Sequence, residues 1–341
     1  MSGLYKQLFK SMQLPPASAI DGRTVLITGA NTGLGKEAAR HALGLGARAV
    51  ILGVRSLEKG EQAKADIENS TGHADRKQVL VWKLDLESFD SVKAFAAQAK
   101  QYVEDGGSID YAIMNAGLAT QEFHLTSDSW ERTLQVNVLS TALLSIKMLA
   151  VLQRSAALNA SPPPTLTITA SDVHKHVKFT ERDSPSLLSS LNDKDNWQAS
   201  QSAGGPVERY AVTKLFNIFI TEELARLTPR GKNGDPHVLV NTFTPGFCKS
   251  DLLTREKAPI MLIMVQAAIA RTVEEGSKTL LHAATMGVAS HGKWMEHEEV
   301  ANPGAIVTSP EMQAVKQRFW DEMESILVKI DPEVPLLTAS T

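Results

Sequence analysis

Residues Thr24–Gly35 read TVLITGANTGLG, an apolar run followed by three closely spaced glycines. The first five residues, Thr24–Thr28, are apolar or β-branched, which is typical of a strand buried on both faces of a sheet. Glycines at positions 29, 33 and 35 then lead into a stretch with helical character. Such a turn lets the backbone approach a pyrophosphate closely, and the helix N-terminus offers it free N–H groups. The stretch therefore predicts a strand–turn–helix unit that binds a dinucleotide.

Strand-like and helix-like stretches alternate along the rest of the chain. We predict strands over Thr24–Thr28, Ala49–Gly53, Val79–Leu84, Ile109–Met114, Thr165–Thr169 and Val238–Phe243. We predict helices over Gly33–Leu45, Leu57–Glu68, Phe89–Val103, Asp128–Arg154 and Tyr210–Leu227. Apolar strands joined by helices imply parallel pairing, because each helix is a crossover and the crossovers cover both faces. The pattern therefore predicts an α/β fold with a doubly wound parallel sheet and helices on both faces.

The chain shows no linker and no internal repeat, so we predict one domain over residues 21–300. Residues 1–20 form an N-terminal extension, which could dock on the domain, on a second subunit or on a membrane surface. Residues 301–341 form a C-terminal extension that packs on the domain. Two insertions, at about 172–205 and 250–270, interrupt the alternation and are candidate walls of a substrate pocket. The alternatives are a surface insertion for the first and ordinary core for the second.

Composition excludes several classes of function. The 341 residues carry a net charge of −3 with scattered Lys and Arg, which argues against nucleic-acid binding. The longest apolar stretch, Ala258–Ala270, falls short of the roughly 20 residues that span a bilayer, so no transmembrane span is predicted. Cys248 is the only cysteine, which excludes an intrachain disulfide and favours a reducing, cytoplasmic location. No His-x-x-x-His pair lies on a candidate site helix, so we predict no metal.

The end of the second strand indicates which dinucleotide binds. An NAD enzyme usually places Asp or Glu there to hold the ribose 2′-hydroxyl. Here residues 53–56 read GVRS, and no acidic residue comes before Glu58. Arg55 can make a charge-assisted contact with a 2′-phosphate, with Ser56 and Lys36 as further donors. We therefore predict NADP(H), the alternative being that Arg55 only caps the strand in solvent.

Further motifs follow in order, each after a predicted strand or on a predicted helix. They are Asp85-Leu86, Asn115-Ala116-Gly117, Asn137 within the long helix, Ser171, Tyr210 four residues before Lys214, and Pro245-Gly246 with Ser250. Singly each has a simple explanation, such as an exposed asparagine or a serine that caps a turn. Together with the Thr-Gly-x-x-x-Gly-x-Gly form of the glycine turn, they make residues 22–297 resemble the classical short-chain dehydrogenases/reductases.

This resemblance implies a single-domain Rossmann-type fold and a set of functional residues. The implied catalytic residues are Asn137, Ser171, Tyr210 and Lys214. The implied cofactor-binding residues are Gly29, Asn31, Thr32, Gly33, Leu34, Gly35, Arg55, Asp85, Leu86, Asn115, Ala116, Gly117, Tyr210, Lys214, Pro245, Gly246 and Ser250. Among them, Pro245-Gly246 with Ser250 looks like the loop that holds the nicotinamide carboxamide. The family commonly forms dimers and tetramers, so a homodimer is one of the states that the resemblance allows.

Within the family, the sequence is most similar to the branch of retinol dehydrogenases and WW-domain oxidoreductases, which includes fungal reductases of secondary metabolism. The grounds are the long spacing from Ser171 to Tyr210, the stretch Val54–Gly60 and the Ser-x-x-His of Ser171 and His174.

The resemblance implies NADPH-dependent reduction of a ketone or aldehyde. Tyr210 and Lys214 project from the same face of a helix, and the Lys214 ammonium is expected to lower the pKa of the phenol. Tyr210 would give a proton to the carbonyl oxygen, and Ser171 would donate a hydrogen bond to it. By resemblance, Asn137 positions a water for the proton relay. The alternatives are an alcohol dehydrogenase that works in the oxidative direction and a cofactor-binding relative with non-redox chemistry.

The two insertions predict the substrate class. Their candidate pocket residues are His174, His176, Phe179, Trp197, Leu252, Leu253, Ile260, Met261 and Met264. These residues would line a mostly apolar pocket, suited to a bulky lipophilic or aromatic carbonyl compound.

Overall fold

A computed structural model describes residues 3–73, 78–158, 162–231, 234–249, 252 and 269–334. Eight strands form one sheet in this part of the chain. They are β1 (Thr24–Thr28), β2 (Ala49–Val54), β3 (Val79–Lys83), β4 (Tyr111–Met114), β5 (Thr165–Thr169), β6 (Leu239–Phe243), β7 (Trp294–Glu296) and β8 (Glu299–Val300). Their order is β3-β2-β1-β4-β5-β6-β7-β8, parallel throughout except for the antiparallel β7–β8 pair. The predicted doubly wound parallel sheet is confirmed, with one short antiparallel strand at its edge.

The order of the strands reverses at β1, which pairs with β2 on one side and β4 on the other. The connection from β1 to β2 and the connection from β4 to β5 therefore run toward opposite edges of the sheet. A crevice opens at such a switch point, at the carboxyl ends of the strands, where open α/β sheets bind their ligands.

Helices cover both faces of the sheet. They are α1 (Gly3–Phe9), α2 (Ala17–Ile20), α3 (Gly33–Gly44), α4 (Leu57–Thr71), α5 (Phe89–Glu104), α6 (Arg132–Leu134), α7 (Ser140–Leu158), α8 (Leu187–Leu191), α9 (Lys194–Gly204), α10 (Glu208–Leu227), α11 (Val273–Thr285), α12 (Ala305–Thr308) and α13 (Pro310–Ile330). Side chains alternate along each strand, so Leu26 faces the core under α5, α7 and α10, whereas Val25 and Ile27 face the core under α3 and α11. This coverage of both faces explains why β1, β2, β4, β5 and β6 are buried at every position.

The helix from Arg132 to Ala157 is long and apolar enough to cross a membrane, with a mean hydropathy of 1.6. However, 89% of its most apolar window is buried inside the protein. Most of this run is α7, which packs against α5 in the core, and burial in the core explains its apolar composition.

The sequence pattern missed several elements. Strands β7 and β8 are too short to show a period, and α11 was not singled out. Residues 172–205, expected as a long irregular insertion, contain α8, α9 and two short 3₁₀ turns. In the C-terminal part, Phe319 of α13 stacks on Phe216 of α10 with ring centroids 4.1 Å apart, and both side chains are fully buried. Helix α13 is therefore part of the core that supports α10.

Candidate active site

One cavity of about 1490 Å³ follows the carboxyl ends of the parallel strands. It brings together most of the residues that the sequence singled out. Those that line it are Gly29, Asn31, Thr32, Gly33, Leu34, Lys36, Arg55, Ser56, Asp85, Leu86, Asn115, Ala116, Gly117, Ser171, Tyr210, Lys214, Pro245 and Gly246. Gly35 and Asn137 do not line the cavity, and Ser250 lies outside the described residues.

The turn after β1 requires glycine at three places for different reasons, at Gly33 because its φ is +60°. A Cβ at Gly29 would lie 2.9 Å from Cα of Ala116, and φ at Gly29 is +69°. A Cβ at Gly35 would lie 2.6 Å from the carbonyl oxygen of Gly29, so the first turn of α3 could not approach the strand. By contrast, a Cβ at Gly33 would meet no described atom within 4 Å, which leaves open space in front of the helix N-terminus. This cradle fits a pyrophosphate.

Thr28, the last residue of β1, joins two turns of the site. Its Oγ1 accepts hydrogen bonds from the backbone N–H groups of Asn115 and Ala116, both at 3.0 Å. The Asn115 side-chain amide in turn donates to the Thr28 carbonyl at 2.9 Å. The turns after β1 and β4 therefore hold one fixed relative position.

The end of the cavity near β2 is rich in hydrogen-bond donors, but Arg55 already has a partner. Its Nη1 lies 2.6 Å from Oε1 of Glu87, and the same oxygen accepts a hydrogen bond from Arg132 at 2.9 Å. The Arg55 side chain is nevertheless 59% exposed. Lys59 also lines this end of the cavity. Sequence reasoning missed Glu87 because it lies 32 residues from Arg55 along the chain.

Tyr210 and Lys214 lie side by side at the other end of the cavity. Nζ of Lys214 is 5.5 Å from the centroid of the Tyr210 ring and donates a hydrogen bond to the Thr169 carbonyl at 2.8 Å. Because both side chains are buried, the charged form of each is disfavoured. Burial lowers the pKa of Lys214 to about 7.

Burial likewise raises the pKa of Tyr210 above its ordinary value, a hydrogen bond with Ser171 opposes the rise, and the Asp172 carboxylate adds to it. The lowering of this pKa that is expected from the Lys214 ammonium stays a prediction. Burial, rather than the neighbouring amine, is the dominant effect on the phenol.

Ser171 caps the 3₁₀ turn that follows β5. Its Oγ accepts a hydrogen bond from the backbone N–H of Val173 at 3.5 Å and donates one to Oδ1 of Asp172 at 3.4 Å. Both contacts are long and therefore weak. The hydroxyl can exchange them for a stronger acceptor in the cavity. Asp172, which also lines the cavity, was not singled out from the sequence.

Asn137 lies behind the cavity wall, in a π-helical turn, Gln135–Leu139, between α6 and α7. Its Oδ1 accepts from the backbone N–H of Leu118 at 2.9 Å. Its Nδ2 donates to the Leu118 carbonyl at 2.8 Å and to Oγ1 of Thr213 at 3.0 Å. The side chain thus holds the loop after Gly117 against the Tyr210 helix. A π turn within a helix is often found at functional sites.

Three of the expected pocket residues do not line the cavity, so this part of the prediction is wrong. The buried His174 ring lies between the carbonyls of Ser171 and Pro303, at 2.6 and 2.8 Å. Phe179 packs on Phe216, and Trp197 packs edge-on against Phe123. The insertion packs onto the rest of the domain: Phe179 joins the main core with Phe216, and His174 lies edge-on to Trp294.

Other members of the two insertions do reach the cavity, namely Lys175, His176 and Leu252. Leu253, Ile260, Met261 and Met264 lie outside the described residues. Among the described residues, no group of three His, Cys, Asp or Glu side chains is arranged to hold a metal.

The chain is similar to known proteins over nearly its whole length. Residues 23–157 match the family described as short chain dehydrogenase. The chain is 39% identical over 336 residues to "Short chain dehydrogenase/reductase dmxR8" from Cryptosporiopsis sp. (strain 8999), covering 98% of this chain and 99% of that protein. It is 35% identical over 331 residues to "Short-chain dehydrogenase/reductase ffsI" from Aspergillus flavipes, covering 96% and 92% of the two chains.

The chain belongs to the short-chain dehydrogenase/reductase family. It is therefore an oxidoreductase of this family, with fungal relatives that match it over nearly its whole length.

Solved structures share the fold at low sequence identity. A 3-ketoacyl-(acyl-carrier-protein) reductase from Brucella melitensis, complexed with NADH, superimposes with a TM-score of 0.56 at 17% identity, covering 81% of this chain and 97% of that chain. A short-chain dehydrogenase from Shigella flexneri, complexed with NADP, superimposes with a TM-score of 0.54 at 21% identity, covering 82% and 98%. The family thus includes structures with either nicotinamide cofactor, and the fold alone does not select between them.

Proposed function

We propose that this protein is an NADP(H)-dependent carbonyl reductase, with Tyr210 as the proton donor. Its substrate would be a ketone or aldehyde on a bulky lipophilic or aromatic small molecule. The observation that carries the proposal is the continuity of the cavity. A single space connects the donor-rich end at Arg55 with the buried side chains of Ser171, Tyr210 and Lys214.

The residues around the cavity fit the cofactor. The turn from Gly29 to Gly35 would hold the pyrophosphate, and Arg55 and Ser56 would hold the 2′-phosphate. When bound, the reduced nicotinamide supplies the hydride for the carbonyl carbon. In its protonated form Lys214 has two ammonium hydrogens besides the one donated to Thr169, and these can bind ribose hydroxyls.

At neutral pH Tyr210 is in the protonated state from which the reductive step starts. A tyrosine whose pKa lies above the ordinary value near 10 stays protonated at neutral pH. It can therefore give its proton to the carbonyl oxygen as negative charge develops there. Ser171 would donate a second hydrogen bond to that oxygen. The oxidative alternative needs the phenolate, which burial disfavours.

We propose a role in secondary metabolism, because the sequence resembles a branch that includes fungal reductases of secondary metabolism, and the relatives from Cryptosporiopsis sp. and Aspergillus flavipes are fungal proteins. We propose a cytoplasmic location for this reaction on the basis of the single cysteine.

The first experiment measures Tm with NADPH, NADP⁺, NADH and NAD⁺ at equal concentrations, followed by turnover of aromatic and alicyclic ketones. A ligand at a hundredfold excess over its Kd stabilises the native state by about 2.7 kcal/mol. Tyr210→Phe should keep the shift in Tm but lose at least ~100-fold in kcat, because the proton donor is gone. Tyr102→Phe, on α5 away from the cavity, is the matched control. A Tyr210→Phe variant with unchanged kcat would rule out this mechanism.

A further inference from the structure

The N-terminal segment, which we define as Gly3–Gln13, contacts the active site. Gln7 of this segment lines the cavity. It lies against the loop Pro245–Cys248, which we call the nicotinamide loop because the family resemblance assigns its Pro245-Gly246 to that end of the cofactor. This contact joins residues 240 positions apart along the chain.

Both ends of the Gln7 side-chain amide are used. Its Nε2 donates to the Phe247 carbonyl at 2.8 Å and to the Ile269 carbonyl at 3.3 Å. Its Oε1 accepts from the backbone N–H of Phe247 at 3.2 Å. The side chain thus bonds both backbone groups of Phe247, whose carbonyl also accepts from the backbone N–H of Arg271 at 2.9 Å. Only a side chain that carries both a donor and an acceptor can do this.

The neighbouring Gly246 shows how closely the segment approaches the loop. Its φ is +76°, and a Cβ built on it would lie 2.6 Å from Oε1 of Gln7 and 2.8 Å from Nη1 of Arg271. The buried Arg271 also donates to the backbone carbonyl of Lys6 at 2.9 Å. The loop is therefore held between Gln7 on one side and the Arg271 guanidinium on the other.

Ion pairs and hydrogen bonds outside the cavity anchor the N-terminal segment itself. Lys6 and Lys10 lie 2.9 and 3.0 Å from the carboxylate of Glu299. Ser11 donates to the Glu275 carboxylate at 2.9 Å. These contacts do not involve Gln7, so its replacement should leave the segment attached.

We propose that Gln7 is a positioning residue that holds the nicotinamide loop in the conformation that binds the nicotinamide end of NADP(H). The inference rests on the proposed function. It gives the N-terminal extension a role in the active site. Because the loop lies at one end of the cavity and Arg55 at the other, loss of Gln7 should affect only the nicotinamide end of the ligand.

The test compares two ligands by calorimetry: NADP⁺, and 2′-phospho-ADP-ribose, which lacks the nicotinamide ring. Gln7→Ala should weaken NADP⁺ binding roughly five- to tenfold, the effect of losing these hydrogen bonds, and change the Kd of the fragment less than about twofold. Gln7→Glu keeps the size of the side chain but should bind NADP⁺ no more tightly than Gln7→Ala, because a carboxylate oxygen would face the Phe247 carbonyl. Gln13→Ala, which removes an exposed glutamine side chain from the same segment, is the control and should match the wild type.

The outcomes separate the inference from the proposed function. A selective loss for NADP⁺ with an unchanged Tm of the ligand-free protein supports the positioning role. Equal losses for both ligands, or a loss that accompanies a fall in Tm, indicate a structural role and overturn the inference. Unchanged binding of both ligands also overturns it. A wild-type protein that binds neither ligand contradicts the proposed function and the inference with it.

Discussion

The pairing of Arg55 with Glu87 leads to opposite predictions for two substitutions. To bind a 2′-phosphate, Arg55 must leave or share the carboxylate oxygen that lies 2.6 Å from its Nη1. Arg55→Ala removes the donor to the phosphate. Glu87→Gln keeps the size of the side chain but removes the competing charge. The first should weaken NADPH binding, and the second should strengthen it.

The magnitudes follow from the exposure of the pair. A hydrogen bond to a charged group contributes about 1.5–3 kcal/mol, whereas a surface ion pair contributes about 0–1 kcal/mol. Because Arg55 is 59% exposed, exchanging its contact with Glu87 for one with the phosphate gains a net ~1–2 kcal/mol. Arg55→Ala should therefore raise the Kd of NADPH about 5- to 30-fold. Glu87→Gln should tighten NADPH binding by roughly two- to fivefold, since Arg55 no longer has to give up an ion pair.

The assay is the Kd of NADPH and of NADH for each variant, measured at low and at high salt. NADH binding should stay within about twofold, and the effect on NADPH should shrink at high salt because exposed charges are screened. Arg154→Ala is the matched control, since Arg154 forms a similar exposed pair with Glu104 at 3.2 Å away from the cavity. Equal losses for both cofactors, or weaker NADPH binding in Glu87→Gln, would refute the assignment of Arg55 to the 2′-phosphate.

Two further predictions concern stability. Burial lowers the pKa of Lys214 from 10.5 to about 7, so between these values the unfolded chain binds more protons and the stability due to this group rises with pH. Lys214→Met should therefore have a larger free energy of unfolding than the wild type at pH 7. Urea unfolding should show that this difference in free energy is roughly 2 kcal/mol smaller at pH 9. A difference that does not change with pH would contradict the prediction. Phe319→Ala should destabilise the protein by ~3–5 kcal/mol, because it removes a buried ring stacked on Phe216. Phe9→Ala, at a position 70% exposed, should change stability by less than ~0.5 kcal/mol, and similar values for both would show that α13 is not part of the core.

Local patterns carried the predictions that succeeded. The run Thr24–Gly35 predicted the first strand, the turn and the start of α3, because an apolar strand and a glycine turn depend only on residues that are close together in the sequence. All six predicted strands are present, with ends that differ by at most two residues. The order of the motifs along the chain also indicated the family, because most of these motifs follow strands whose carboxyl ends lie at the same edge of the sheet.

Contacts between distant residues determined the rest of the site. Glu87 beside Arg55 and Gln7 against Phe247 join segments that carry no shared sequence pattern. His174 was expected in the pocket but lies between two backbone carbonyls, because the insertion packs onto the main core of the domain.

The pKa values of Tyr210 and Lys214 also depend on tertiary structure. Four-residue spacing predicted their proximity, but burial determined the direction in which each pKa moves. Strand periodicity and glycine turns are properties of neighbouring residues and can be read from the chain. Desolvation, partner choice and the walls of a cavity depend on which segments pack together, and only the folded chain specifies that.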